Sequence, residues 1–167
     1  MDNQTAEHSY ESEINETVSD VFGTMLNTEA TPTSDGTLPG KDLVTAIIAF
    51  AGAWNGDLVL GCCRAQALIF ARRFLQCDEL TEVGEEVIST IAELSNIVAG
   101  NLKVVLPSGT NISTPSVIEG GDYDVRVYRG KIIHHTVFTT DAGPFTVRLI
   151  EASSLNQRSL NAHSGGG

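Results

Sequence analysis

The chain is poor in positive charge. Its 167 residues carry 10 Lys and Arg against 21 Asp and Glu, a formal net charge of −11. Nucleic acid and anionic membranes need clustered Lys and Arg to offset phosphate charge, so neither fits as a partner. The acidity favours a partner with a basic or metal-bearing contact surface. Cysteine is scarce: there are three, at Cys62, Cys63 and Cys77. An odd number without framework spacing argues against a disulfide scaffold, and reduced, cytosolic thiols are the simplest reading. No C-x-x-C or H-x-x-x-H spacing occurs, so no metal site is expected. Cys62 and Cys63, like His134 and His135, are adjacent and point to opposite sides of any strand that holds them. The two histidines read as surface or rim residues. No apolar run reaches the roughly 18 residues of a membrane span. The N-terminal "MDNQTAEHSYESE" is acidic and polar, unlike a secretion signal.

What is present is an ordinary globular composition, 41% hydrophobic and 19% charged. The length suggests one domain, read here as residues 11–153 between disordered tails at 1–10 and 154–167. "SEINETVSDVFGTMLN" has Ile14, Val18, Val21, Phe22 and Met25 at helical spacing. "TEATPTSDGTLPG" is loop-like. "DLVTAIIAFAG", Trp54-Asn55-Gly56 and "DLVLGCCR" predict a hairpin, because Asn-Gly favours the primed turns. "AQALIFARRFLQ" and residues 84–105 predict two more helices. After Pro107-Ser108-Gly109, four strands follow: "NISTPSVIEG", "YDVRVYRG", "KIIHHTVFTT" and "PFTVRLIEA", the last two joined by "DAG".

The helix at 84–105 sorts its residues onto two faces. Each residue advances about 100°. Ile88, Ile91, Val98 and Leu102 gather on one side, with Gly84 and Ser95 among them. Glu86, Ser89, Glu93, Asn96 and Gly100 gather on the other. Glu93 and Asn96 are thus neighbours on the outer face, one turn apart. Most such polar faces do nothing beyond meeting water. Two details lean the other way. Asn is a mediocre helix former, and Gly costs roughly 1 kcal/mol relative to Ala in a helix interior. Gly100, one turn past Asn96, lowers the surface as though something must come close.

The same pattern recurs upstream. An offset of 77 residues carries Glu16 onto Glu93, Ser19 onto Asn96 and Gly23 onto Gly100. Each helix is later followed by a hairpin with a small-residue turn. The repeat predicts two pseudo-symmetric halves, each giving one long helix to a shared sheet. The first half keeps the Glu and lacks the Asn.

The motif Ser89-x-x-x-Glu93-x-x-Asn96, within "STIAELSNIVAGNLK" and followed by Pro115, resembles the mark of the CheC/CheX chemotaxis phosphatases. The resemblance runs over residues 11–152. A single Glu/Asn pair makes the chain CheX-like rather than CheC-like. The fold this implies is α/β, of the α+β kind: a mainly antiparallel sheet with two long helices side by side on one face. The implied function is hydrolysis of the aspartyl phosphate on a CheY-like response-regulator receiver. Asn96 would orient the attacking water, and Glu93 would dock the receiver's lysine. Ser89, Gly100 and Lys103 would support the contact at the rim. No cofactor of its own is implied, since the receiver supplies Mg²⁺. A cytoplasmic homodimer, paired through strands, is implied as well. The alternatives are a receiver-binding adaptor or phosphate sink without turnover, in a two-component or flagellar-switch pathway, and a plain structural dimer domain with a solvated helix face.

Overall fold

The structure, a computed structural model, describes residues 3–34, 42–120 and 130–153, with the side chains of 3–9 left aside. The order is α1 (Asn3–Leu26), β1 (Thr31–Thr33), β2 (Leu43–Gly52), β3 (Gly56–Cys63), α2 (Arg64–Leu75), α3 (Glu85–Leu102), β4 (Thr110–Ile112), β5 (Ser116–Gly120), β6 (Gly130–Thr140) and β7 (Gly143–Ala152). The seven strands form one antiparallel sheet in the order β1-β6-β7-β3-β2-β4, with β5 also pairing β2. The expected α+β fold with a helix-covered antiparallel sheet is the one observed.

The sheet order makes the two halves visible. The hairpins β2–β3 and β6–β7 meet at β3 and β7. The short strand after α1 pairs β6, in the other half, and the short strand after α3 pairs β2. Exchanging the halves reverses the strand order and leaves it unchanged. The 77-residue offset also carries buried positions onto buried ones: Ile14 onto Ile91, Val18 onto Ser95, Val21 onto Val98 and Phe22 onto Ala99. α1 and α3 are packed neighbours, and among the described residues α2 and β5 have no counterpart in the other half.

The core lies between the helices and the sheet face carrying Val44, Ile48, Leu58, Leu60, Val147 and Leu149. One phenylalanine from each of α1, α2, β6 and β7 meets at its centre. Phe22 stacks on Phe145 at 4.3 Å, Phe138 stacks on the same ring at 5.2 Å, and Phe70 meets Phe22 edge-on at 5.3 Å. Such pairs add about 0.5–1.5 kcal/mol each beyond their area burial. Arg73 of α2 ties the periphery together. Its guanidinium donates two parallel bonds to Asp141, at 2.7 and 2.8 Å, and a third to the Thr28 hydroxyl at 2.7 Å. This joins α2 to the loop after α1 and to the β6–β7 turn.

Several local expectations change. α1 begins at Asn3, so most of the expected N-terminal tail is helical. Pro32 lies in a strand, β1, which the Thr- and Pro-rich sequence concealed. Proline is tolerated there because β1 is an edge strand. The β2–β3 hairpin forms, but not through a primed Asn-Gly turn. Phe50 pairs with Gly56, and the left-handed residue is Gly52, at φ +115°. A Cβ at Gly52 would run into the Gly109 carbonyl. Asn55 acts through its side chain, accepting the Gly52 N–H and donating to its C=O, each at 3.2 Å. The expected strand at 123–130 lies outside the described residues except for Gly130, and the expected tail at 154–167 lies wholly outside them.

His134 is the other correction. It is buried, not a rim residue, while His135 is exposed. The two do point to opposite faces of β6, and that alternation sends His134 into the layer beneath α1. There its Nε2 is hydrogen-bonded to the Thr136 hydroxyl. Burial lowers its pKa, partly offset by the Glu11 carboxylate. Cys62 and Cys63 divide in the same way: Cys62 is wholly buried, with its thiol pKa raised by burial, and Cys63 is part-exposed.

Candidate functional site

α3 is built to hold one face rigid. Gly84 in extended backbone starts it, and Glu85 and Glu86 lie in its first turn, where carboxylates suit the positive end of the helix dipole. Val87, Ile91, Leu94, Val98, Ala99 and Leu102 bury its inner side. The buried side is thus wider than the four apolar residues read from the sequence, and Ile88 sits at its edge, half-buried. The two polar residues on that side are satisfied within the helix. The Thr90 hydroxyl donates to the Glu86 carbonyl at 2.8 Å, and the Ser95 hydroxyl to Ile91 at 2.8 Å.

The opposite side presents the motif. Ser89, Glu93 and Lys103 are exposed, and Asn96 and Gly100 are half-buried. Glu93 and Asn96 sit one turn apart, with Cβ atoms roughly 5–6 Å from each other. No hydrogen bond or ion pair to another described residue engages the side chains of Ser89, Glu93, Asn96 or Lys103. The carboxylate and the carboxamide are therefore unencumbered, on a backbone that the core fixes. A Cβ added at Gly100 would meet nothing within 4 Å. The glycine is not demanded by packing inside the molecule, and its flat surface lies beside Asn96. Lys103 is the C-cap of α3, where its cation complements the negative end of the helix. Pro115 falls just before β5.

The equivalent position on α1 is differently employed. Glu16 is exposed, but the Ser19 hydroxyl donates to the Ala30 carbonyl at 2.8 Å and pins the chain that leaves the helix. One Glu/Asn pair is presented, not two. Flanking α3 are surfaces that the motif does not mark. Leu75, Met25 and Val104 are exposed apolar residues along its length. Beside them α3 carries a second stripe, at steps of three and four residues, running from Glu86 through Glu93 to Asn101. Among the described residues no group of His, Cys, Asp and Glu is placed to hold a metal ion. No described helix is long and apolar enough to cross a membrane.

Comparisons with known proteins concern the chain as a whole. Residues 44–139, more than half of the chain, match the family described as chemotaxis phosphatase CheX. No curated protein matches the sequence. Among solved structures, the chemotaxis protein CheX from Vibrio vulnificus is 22% identical, with a TM-score of 0.72 over 85% of this chain and 96% of that one. CheX from Desulfovibrio desulfuricans is 20% identical, with a TM-score of 0.72 over 86% and 99%. A CheX–CheY–BeF3–Mg²⁺ complex from Borrelia burgdorferi is similar at 21% identity, with a TM-score of 0.64 over 85% and 97%. At such identities the solved structures speak for the fold, and the family match speaks for descent: this chain belongs to the CheX family of chemotaxis phosphatases.

Proposed function

We propose that the chain hydrolyses the aspartyl phosphate of a CheY-like receiver domain by presenting Asn96 and Glu93 to the receiver's own active site. The observation that carries this reading is the Glu93/Asn96 pair on the outer face of α3, without a partner among the described residues and beside the flat Gly100. An acyl phosphate is already labile, and the receiver brings Mg²⁺ and a lysine to the phosphoryl group. What is missing is a placed water. A carboxamide accepts a hydrogen bond from that water and donates another toward the phosphoryl oxygens, without adding negative charge beside a dianion. This is catalysis by positioning. The Glu93 carboxylate, one turn earlier, pairs with the receiver lysine and sets the register of docking. Ser89 and Lys103 bound the contact at either end, and Gly100 lets the receiver backbone approach.

The working unit in this reading is a cytoplasmic homodimer joined through strands at a sheet edge. The test of the function is phosphate release from phosphorylated receivers of the organism that makes the chain. Acceleration of one of them by the wild-type protein, abolished in Asn96→Ala, supports the reading. Binding to a receiver without acceleration would make the chain an adaptor or phosphate sink instead.

A further inference from the structure

Glu86, Thr90, Glu93, Ile97 and Asn101 recur along α3 at steps of three and four residues, and so form one stripe, and Val104 lies in the turn just past the end of the helix. At its N-terminal end the stripe borders a groove of about 380 Å³, whose other wall is Phe74 and Leu75 of α2. At its C-terminal end it borders a second groove, of about 460 Å³, whose other wall is Glu13, Glu16, Asp20 and Met25 of α1. Glu93 stands between the two. Apolar surface is open at both ends: Leu75 is 43% exposed, Met25 40% and Val104 84%. The walls are acidic, and no Lys or Arg is among the described residues that line either groove.

A strip one side chain wide cannot support a stable complex, since specific interfaces bury roughly 800 Å² on each partner. A receiver docked on Glu93 and Asn96 must therefore also cover an element beside α3. We propose that it covers this flank, so that one receiver rests on α3, the C-terminal end of α2 and the acidic side of α1 together. The receiver surface that fits is basic and amphipathic: Lys or Arg facing Glu13, Glu16 and Asp20, with apolar side chains over Leu75 and over Met25 and Val104. A second copy of this chain fits less well, because it would bring a net charge of −11 toward the same carboxylates. The inference rests on the receiver-phosphatase reading and adds the footprint to it.

The test is a titration with the host CheY receiver held in its active form by BeF3 and Mg²⁺, at low and at raised salt. It uses the wild type, the double variant Glu16→Lys, Asp20→Lys, and Asn96→Ala, with circular dichroism melts to verify folding. The charge reversal is expected to weaken binding by roughly tenfold and to flatten its salt dependence, with turnover at saturating receiver kept. Asn96→Ala is expected to do the opposite, keeping affinity and losing turnover. Restored affinity between the reversed variant and a receiver carrying Glu in place of a docking-face Lys would place that wall at the interface. Wild-type affinity in the folded double variant overturns the footprint while leaving the function intact. A change confined to self-association gives the flank to a second copy and overturns it too. A wild type that binds no receiver removes the functional reading and the footprint with it.

Discussion

Asn96 is a half-buried carboxamide with no described partner, one turn from an exposed carboxylate. If its task is to place a water, Asn96→Ala should lower the turnover number on the order of 100-fold or more, the loss typical of one preorganised hydrogen-bonding group. Its melting temperature should stay near wild type, because Ala suits a helix better than Asn. Single-turnover phosphate release and a thermal melt measure the two halves. Glu93→Gln should act on affinity: it removes the charge that pairs with the receiver lysine, so binding weakens and loses part of its salt dependence. Affinity that is unchanged across a salt series would leave Glu93 a solvated carboxylate. Gly100→Ala separates stability from function. With open space where the Cβ would go, Ala should stabilise α3 by about 0.5–1 kcal/mol. The same methyl group should hinder the receiver's approach, so a higher melting temperature together with weaker binding is the expected result.

At the scale of elements, α1 carries the counterpart of the α3 motif without its Asn. It keeps Glu16 and Gly23, but Ser19 now holds the Ala30 carbonyl. Placing Asn at Ser19 in an Asn96→Ala background is expected to restore no phosphate release, because residue 19 faces the exit of its own helix. Recovered activity would show instead that α1 can still admit a receiver. Ser19→Ala alone should cost about 1 kcal/mol, the net worth of one hydrogen bond, in a denaturant titration. The long helices were legible from their 3.6-residue period, and so was the face that carries Glu93 and Asn96. The β6–β7 hairpin was legible from its "DAG" turn, and the β2–β3 hairpin from Asn-Gly, although Gly52 and not Asn-Gly supplies the left-handed residue there. β1 was not, because three residues with Pro at the centre leave no period to detect. Nor was the burial of His134, since two adjacent histidines look alike until the sheet assigns each to a side. The flanking grooves were hidden for a related reason: they belong to no single element but to the pairing of α3 with α1 and α2.

For the molecule as a whole, His134 sets a pH response. Burial lowers its pKa below the ordinary 6.5, against the pull of Glu11. The unfolded chain therefore takes up a proton that the fold resists, and stability contributed by the neutral ring is complete above about pH 6.5 and lost as the pH falls below it. His135, also lowered, adds in the same direction. Denaturant midpoints should fall between pH 7 and pH 5, and His134→Gln should flatten that slope. An unchanged slope would mean that His134 titrates alike in both states.

The exchange of short strands between the halves has a consequence in time. β1 closes the sheet by pairing Thr31 with Thr139, a contact that spans most of the polypeptide. A nascent chain emerging from the ribosome has α1 and β1 long before it has β6, so its N-terminal strand waits unpaired through much of synthesis. Contacts of such long sequence separation also slow refolding. The last amides to gain protection in a pulsed hydrogen-exchange experiment should therefore be those of β1, at the start of the sequence.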